Sequence, residues 1–154
     1  MMKIRNVKAE DVDRFVRLYR EAYKGLEEYA YTKEVDIIRY FNWLLSRDPY
    51  GFFIMEEDSE IIGIIACDAN WFSPFEGSFV GEIHEIFVHP DHRGKGAGKI
   101  LVETAIDYSR KRNRKIAGLW VGVKNLNAKE FYKKLGFRET ITLGKWTRMI
   151  KDIP

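Results

Sequence analysis

Between residues 9 and 23 the apolar positions Val12, Phe15, Val16, Tyr19 and Tyr23 recur at helical spacing, with Glu10 and Asp11 in the first turn, where the helix dipole favours anions. The pattern predicts an amphipathic helix. A second helix is predicted over 32–46, stopping before Pro49, which biases its predecessor away from helix. Further on, the runs "GFFIMEE" and "EIIGIIACDAN" flank the turn residues Asp58 and Ser59 and predict an antiparallel hairpin. The stretch "WFSPFEGS" reads as a loop and "VGEIHEIFV" as the next strand. Then follow a helix from about residue 96 to 112, the strand "KIAGLWVGV", a helix over 127–135 stopped by Gly136, and closing strands around "RETITL" and "KWTRMI". A short strand over 3–7 opens the chain. With no internal repeat or linker-like tract, residues 1–154 read as one domain. Helices, a hairpin meander and a strand–helix–strand crossover in that order predict an α/β sandwich with a central, mostly antiparallel sheet.

Composition narrows the function classes. Hydrophobic residues make up 45% and charged residues 32% of the 154, with four prolines, the balance of a folded globular protein. A net charge of +3 is too small to argue for nucleic acid, and the cations of "RKRNRK", 110–115, suit a helix C-terminus without any such partner. The single cysteine, Cys67, excludes an intrachain disulfide and any multi-thiolate zinc cage, and a reducing, cytoplasmic setting is expected, as is a protein without a metal. The N-terminus is charged from its third residue, and the longest apolar run, "IIGIIAC", is far too short to span a bilayer. No membrane embedding is expected.

The segment "HPDHRGKGAGKIL", 89–101, places Gly94, Gly96 and Gly98 on alternate positions among cations and runs into an apolar helical pattern. It is not a P-loop, because Arg93 and Ile100 stand where that motif needs Gly and Ser or Thr. Nor is it a dinucleotide fingerprint, since Lys99 or Leu101 occupies the place of the third glycine. The physics of an anion cradle survives both failures: glycines allow close backbone approach, the N–H groups opening the helix are unpaired, and Arg93, Lys95 and Lys99 add positive charge. A second segment, "VKNLNAKEFYKKLGF", 123–137, puts Ala128, Phe131 and Leu135 on one stripe and Tyr132 one residue off it, so that its hydroxyl is predicted to leave the core.

Together the two segments closely resemble the GNAT (GCN5-related N-acetyltransferase) family. The family's acetyl-CoA motif, Arg or Gln, any two, Gly, any one, Gly or Ala, is matched by Arg93, Gly96 and Gly98, after a strand ending "IFVHP". The later motif is matched by Asn125, Ala128, Phe131, Tyr132, Gly136 and Phe137, so the resemblance spans 82–137 in order and spacing. It implies a GNAT-like sandwich of a mixed, mostly antiparallel sheet with about four helices. It also implies that backbone groups of Arg93, Gly94, Lys95, Gly96, Ala97, Gly98 and Lys99 hold the pyrophosphate of coenzyme A. Ile86, Phe87 and Val88 would pair with the pantetheine arm, with Asn125 and Tyr132 beside the coenzyme. From Val88 back to Glu82 is roughly 20 Å of strand, which suits an arm ending near Glu82.

Acetylating an amine requires a base for the ammonium and a proton for the departing thiolate. Period-two alternation puts Glu82 and His84 on one face and Ile83, Glu85 and Phe87 on the other. The resemblance implies Glu82 as base, His84 second, and Tyr132 as the acid; a bulge would change the parity and bring in Glu85. The implied function is acetyl transfer from acetyl-CoA to a primary amine, small molecule, protein N-terminus or lysine, with no nucleic-acid or membrane partner. The competing reading is a non-catalytic acyl-CoA-binding sensor or regulatory module. Trp71, Phe72, Phe75 and Phe79 fit a lid or aromatic pocket, a cover for the sheet edge, or a homodimer contact. Glu27, Glu28, Tyr29, Tyr31 and Glu76 would suit a cationic or aromatic amine, and scattered surface residues explain them equally.

Overall fold

A short strand, β1 (Met2–Asn6), leads into α1 (Val12–Ala22), whose Phe15, Val16, Leu18, Tyr19 and Ala22 are buried. The stripe is the one the spacing predicts, widened by Leu18 and Ala22. A second helix, α2 (Glu34–Arg47), buries Ile37, Phe41 and Leu44 beside it and ends ahead of Pro49. The computed structural model describes residues 2–154. Next come β2 (Phe52–Glu57) and β3 (Glu60–Ser73), joined through Asp58 and Ser59, both at positive φ (52° and 68°). Two left-handed residues give a hairpin turn whose twist matches the strands.

Half of the segment predicted as a loop is strand, and only residues 74–77 form the turn. β3 runs on to Ser73 and β4 (Ser78–Val88) begins five residues later, with Trp71 opposite Val80, Phe72 opposite Phe79 and Ser73 opposite Ser78. The Phe72 and Phe79 rings meet edge-on at 5.4 Å, a cross-strand pair that carries the ladder right up to the turn at Pro74. After β4 come α3 (Ala97–Lys111), β5 (Ile116–Gly122), α4 (Leu126–Lys134), β6 (Arg138–Leu143) and β7 (Trp146–Asp152).

The strands form one seven-stranded sheet in the order β1-β2-β3-β4-β5-β7-β6, antiparallel except between β4 and β5. One face packs Ile65, Ile83, Leu101, Val102, Leu119 and Met149 under α3 and α4; the other packs Phe15, Phe41, Phe52, Ile64 and Phe87 under α1 and α2. Among the described residues no helix is long and apolar enough to cross a membrane.

Two departures from regular pairing position the site. The parallel β4–β5 contact covers only Gly81, Glu82 and Ile83 against Ala117, Gly118 and Leu119, so the strands part company beyond Ile83. On its other edge β4 carries a bulge: Glu85 is opposite Ala66 and Ile83 opposite Cys67, leaving His84 as the extra residue.

Candidate functional site

Where β4 and β5 diverge, a cleft of about 1320 Å³ opens through the molecule. Residues 82–88 form one wall and 119–122 the other, with the α1–α2 connection and the β6–β7 turn at one mouth and the glycine segment at the other. Beyond Ile83 the β4 edge that would pair with β5 has no strand neighbour. Ile86, Phe87 and Val88 all line this gap.

At the glycine mouth the backbone N–H groups of residues 94–99 have no acceptor among the described residues; the first bond of α3 runs from Ile100 N–H to the Gly96 carbonyl. Gly94 and Gly96 sit at φ of 78° and 86°, a conformation that turns the chain into the helix and that glycine adopts without strain. Six unpaired donors at a helix N-terminus fit a polyphosphate and nothing cationic. Side chains divide differently from the backbone. Gly94, Gly96, Gly98 and Lys99 line the cleft, Lys95 does not, and Ala97 is packed in the core. Arg93 is turned inward, donating from Nη2 to the Ala22 carbonyl (2.8 Å) and from Nε to the Val88 carbonyl (3.3 Å). It braces the end of α1 against the end of β4. Asn125 caps α4, its Oδ1 accepting from Ala128 N–H at 3.3 Å, and lines the cleft.

The bulge sets the chemistry of the middle of the cleft. Below it Ile83 points into the α3 face; above it Ile86 and Val88 do, so Glu82, His84 and Glu85 share the α1/α2 face. The expected parity, with Glu85 on the opposite face, does not hold. Glu85 is buried, and its carboxylate accepts from Tyr23 Oη and from Tyr40 Oη, the latter at 2.9 Å. Burial pushes its pKa up to about 7, although the hydrogen bonds from Tyr23, Tyr40 and the Ile86 N–H pull in the other direction. Both tyrosines are themselves raised well above the ordinary phenol value by burial and then by the Glu85 charge, so they remain donors.

Tyr132 is the buried residue of α4, while Ala128, Phe131 and Leu135 are only partly buried. Ala128, Phe131 and Leu135 pack against the core as the spacing predicts, Ala128 and Phe131 also line the cleft, and Tyr132 inserts beside them, edge-on to Phe131 and Phe137. Burial, and next the charge on Glu85, raises its phenol above the ordinary value. Glu85 and Tyr132 both line the cleft.

Glu82 lies deeper, beside the point where the strands still pair. Both its oxygens accept from the Arg148 guanidinium, at 2.9 and 3.0 Å, and both residues are buried. His84 is held by Asp68, Nε2 to Oδ2 at 3.0 Å, between the rings of Trp43 and Trp71, each 4.8 Å away. Burial raises the Asp68 carboxyl, but hydrogen bonds to His84 and Arg47 outweigh it and hold the group below its ordinary value, ionised. An ionised carboxylate only accepts, so the hydrogen on His84 is assigned to Nε2.

Three partners of these acids, Tyr23, Tyr40 and Arg148, had no assigned role in the sequence reading. Tyr23 ends the predicted α1 stripe, and Tyr40 sits among the apolar positions of α2. Arg148 shares one face of β7 with Trp146 and Ile150, and a lone cation on an otherwise apolar strand face is the signal available.

An anion cradle feeding a parted strand pair, with a carboxylate and a phenol between, defines an acyltransferase that draws on a coenzyme thioester. The model of the acetyltransferase (GNAT) family matches residues 12–137. An uncharacterized N-acetyltransferase of Methanocaldococcus jannaschii is 50% identical over 150 residues, which is 97% of this chain and 66% of that protein. Another, from Archaeoglobus fulgidus, is 53% identical over 137 residues, 89% of this chain and 93% of the relative. The crystal structure of a Pyrococcus horikoshii protein superimposes with a TM-score of 0.90 at 36% identity, over 99% of this chain and 98% of that one. The chain belongs to the acetyltransferase (GNAT) family.

Proposed function

We propose that residues 1–154 act as one N-acetyltransferase domain, moving the acetyl group of acetyl-CoA directly to a primary amine with Glu85 as base and Tyr132 as acid. The observation that carries this reading is that the buried Glu85 carboxylate, raised to about 7, and the Tyr132 phenol, raised above its ordinary value, line one cleft. When bound, the coenzyme supplies the thioester carbonyl that the amine attacks and the thiolate that leaves. The acceptor attacks as the neutral amine, and Glu85 takes the proton its nitrogen sheds on adding to the carbonyl. Tyr132 hydrogen-bonds the departing sulfur and supplies its proton, and the proton on Glu85 restores the phenol through solvent. The free N–H groups of 94–99 support a grip on the pyrophosphate, and the unpaired edge of Ile86, Phe87 and Val88 supports pairing with the pantetheine arm. Asn125 shapes the opposite wall.

Glu82 is the weaker candidate for base. Its two oxygens are taken up by Arg148, and accepting a proton there would break a buried ion pair, which costs about 3–5 kcal/mol. Among acceptors, a base near 7 is matched to an α-amine at about 7.7–8.0 and poorly matched to a lysine at about 10.4. The acceptor half, with Tyr29, Trp120, Trp146 and Leu143 in its lining, supports a small or peptide amine rather than a large polyanion.

Two measurements test this. Coenzyme A release, followed with a thiol reagent against a panel of amino acids, polyamines, peptides with free N-termini and lysine peptides, should show turnover with at least one primary amine. Tight coenzyme binding without turnover on any of them would return the chain to the class of acyl-CoA-binding modules. For the cradle, Gly96→Asp adds a negative charge and a strained side chain at φ 86°, so calorimetry should show coenzyme A affinity reduced at least tenfold. Unchanged affinity in the folded variant would remove the cradle.

A further inference from the structure

The acceptor half of the cleft contains a charge cluster that proton transfer does not use. Arg148 is fully buried in β7, and its guanidinium serves two carboxylates at once. Nη1 and Nη2 donate to Glu82 at 3.0 and 2.9 Å, while Nη2 and Nε donate to Glu76 at 2.7 and 3.0 Å. Gly118 makes the room: a Cβ there would lie 2.3 Å from Nη2 and 3.0 Å from the guanidinium carbon. That carbon stands 5.3 Å from the ring centre of Trp120, its partner across the β5–β7 ladder. Phe75 meets the same indole edge-on at 5.2 Å.

Glu76 and Phe75 belong to the turn of the β3–β4 hairpin, whose far end has no third strand beside it. β2 accompanies β3 only as far as Ala66, and β5 meets β4 only from Gly81 on, so residues 69–79 continue as a two-stranded ribbon, its flanks held by Arg47 and Arg114. Such a ribbon is marginal by itself in water. The contacts that tie its tip back are the Glu76 ion pair and the Phe75 ring, and both converge on Trp120. Trp120 lines the cleft, with Tyr29, Trp146 and Leu143 in the same half. Two carboxylates against one guanidinium also leave a single net negative charge behind the indole, a field that favours an arriving ammonium.

We propose that Arg148, through Glu76, latches the hairpin tip and so clamps Trp120 as the fixed wall of the acceptor site, selecting an amine that carries an apolar group. Arg148 is a positioning residue here, and the inference rests on the reading of this half of the cleft as the acceptor side. A wall free to swing would have to be ordered by each acceptor, and that ordering would weaken binding of the acceptor without touching the coenzyme.

The test uses coenzyme A joined at sulfur through an acetyl spacer to 2-phenylethylamine, the same conjugate of methylamine, and coenzyme A alone, with binding read by calorimetry. The wild-type protein should hold the phenylethyl conjugate at least tenfold tighter than the methyl one. Glu76→Gln keeps the side-chain shape and leaves Arg148 its pair with Glu82, so the fold should persist. It should abolish most of that preference, leave the affinity for coenzyme A unchanged, and speed amide hydrogen exchange at 74–79 at least tenfold. Phe75→Ala should act in the same direction, while Trp120→Ala should lose the preference with the tip still bonded to Arg148. A preference that survives Glu76→Gln overturns the latch. Equal weakening of all three ligands makes the cluster merely structural and overturns it too. A wild-type protein with no preference removes Trp120 from the acceptor wall, whereas failure of acetyl transfer itself appears separately, as absent turnover across the amine panel.

Discussion

Replacing Glu85 with glutamine should lower kcat/KM by about 10²–10⁴ above pH 7 while leaving coenzyme A affinity nearly intact. The wild-type profile should carry the same group's signature. Glu85 must be ionised to accept a proton, and its folded value is about 7, so activity should be lost as pH falls through 7 and that acid limb should vanish in the variant. Stability should move the opposite way from a structural lesion. A carboxyl raised from 4.5 to about 7 binds a proton in the folded chain that the unfolded chain has already lost, so between those values stability falls as pH rises. At pH 8 the ionised, buried Glu85 is therefore a burden, and glutamine relieves it by at most about 3 kcal/mol, less whatever the Tyr23 and Tyr40 hydrogen bonds contribute. Thermal melts at pH 8 should place Glu85→Gln at or above the wild-type temperature, and the gap should close toward pH 5. A variant that melts well below wild type at pH 8 would mean that the tyrosine pair holds a structural anion. Full activity in Glu85→Gln with a crippled Glu82→Gln would return the base to Glu82.

That choice between two glutamates shows where local pattern stops being sufficient. The glycine segment is legible residue by residue, because positive φ at Gly94 and Gly96 and free N–H groups at a helix start are properties of a few neighbouring residues. The order of helices and strands is legible for the same reason. The parity of β4 is not, because it turns on how Ala66 and Cys67 of the next strand pair with Glu85 and Ile83, a contact no window of β4 contains. Nor is the environment of Glu85, whose hydroxyl partners come from the end of α1 and the middle of α2, 62 and 45 residues away. The ribbon at 71–78 was hidden by Pro74 and Gly77, which announce a turn correctly but do not say that the flanking aromatics continue the ladder. Tyr132 was expected to reach out of the core. It is instead the most enclosed residue of its helix, while Ala128 and Phe131 beside it open partly onto the cleft. Its hydroxyl still belongs to the cleft, and there its role can be tested.

Tyr132→Phe should lower kcat by about 10²-fold with little change in acetyl-CoA affinity, the loss expected when one general acid is removed and the ring that packs the wall is kept. The ring keeps its contacts with Phe131 and Phe137, so the fold should be undisturbed. Burial and the nearby Glu85 charge hold the phenol protonated well past neutrality, which makes it a standing donor but also a reluctant one. The acceptor of that proton is a thiolate with an ordinary value of about 8.5, so transfer from the phenol to the free thiolate is uphill, and the hydroxyl contributes chiefly by hydrogen-bonding the sulfur as charge develops on it. A thiolate of that acidity also leaves unassisted at some cost, and the loss should therefore stop short of complete inactivation. Because the base is untouched, the acid limb near pH 7 should persist in Tyr132→Phe, whereas Glu85→Gln removes it. Steady-state rates at pH 6 to 9, with single-turnover measurements to separate chemistry from product release, distinguish the two variants. Weak acetyl-CoA binding with normal turnover at saturation would make Tyr132 a packing residue of the coenzyme wall, and the proton would then come from water.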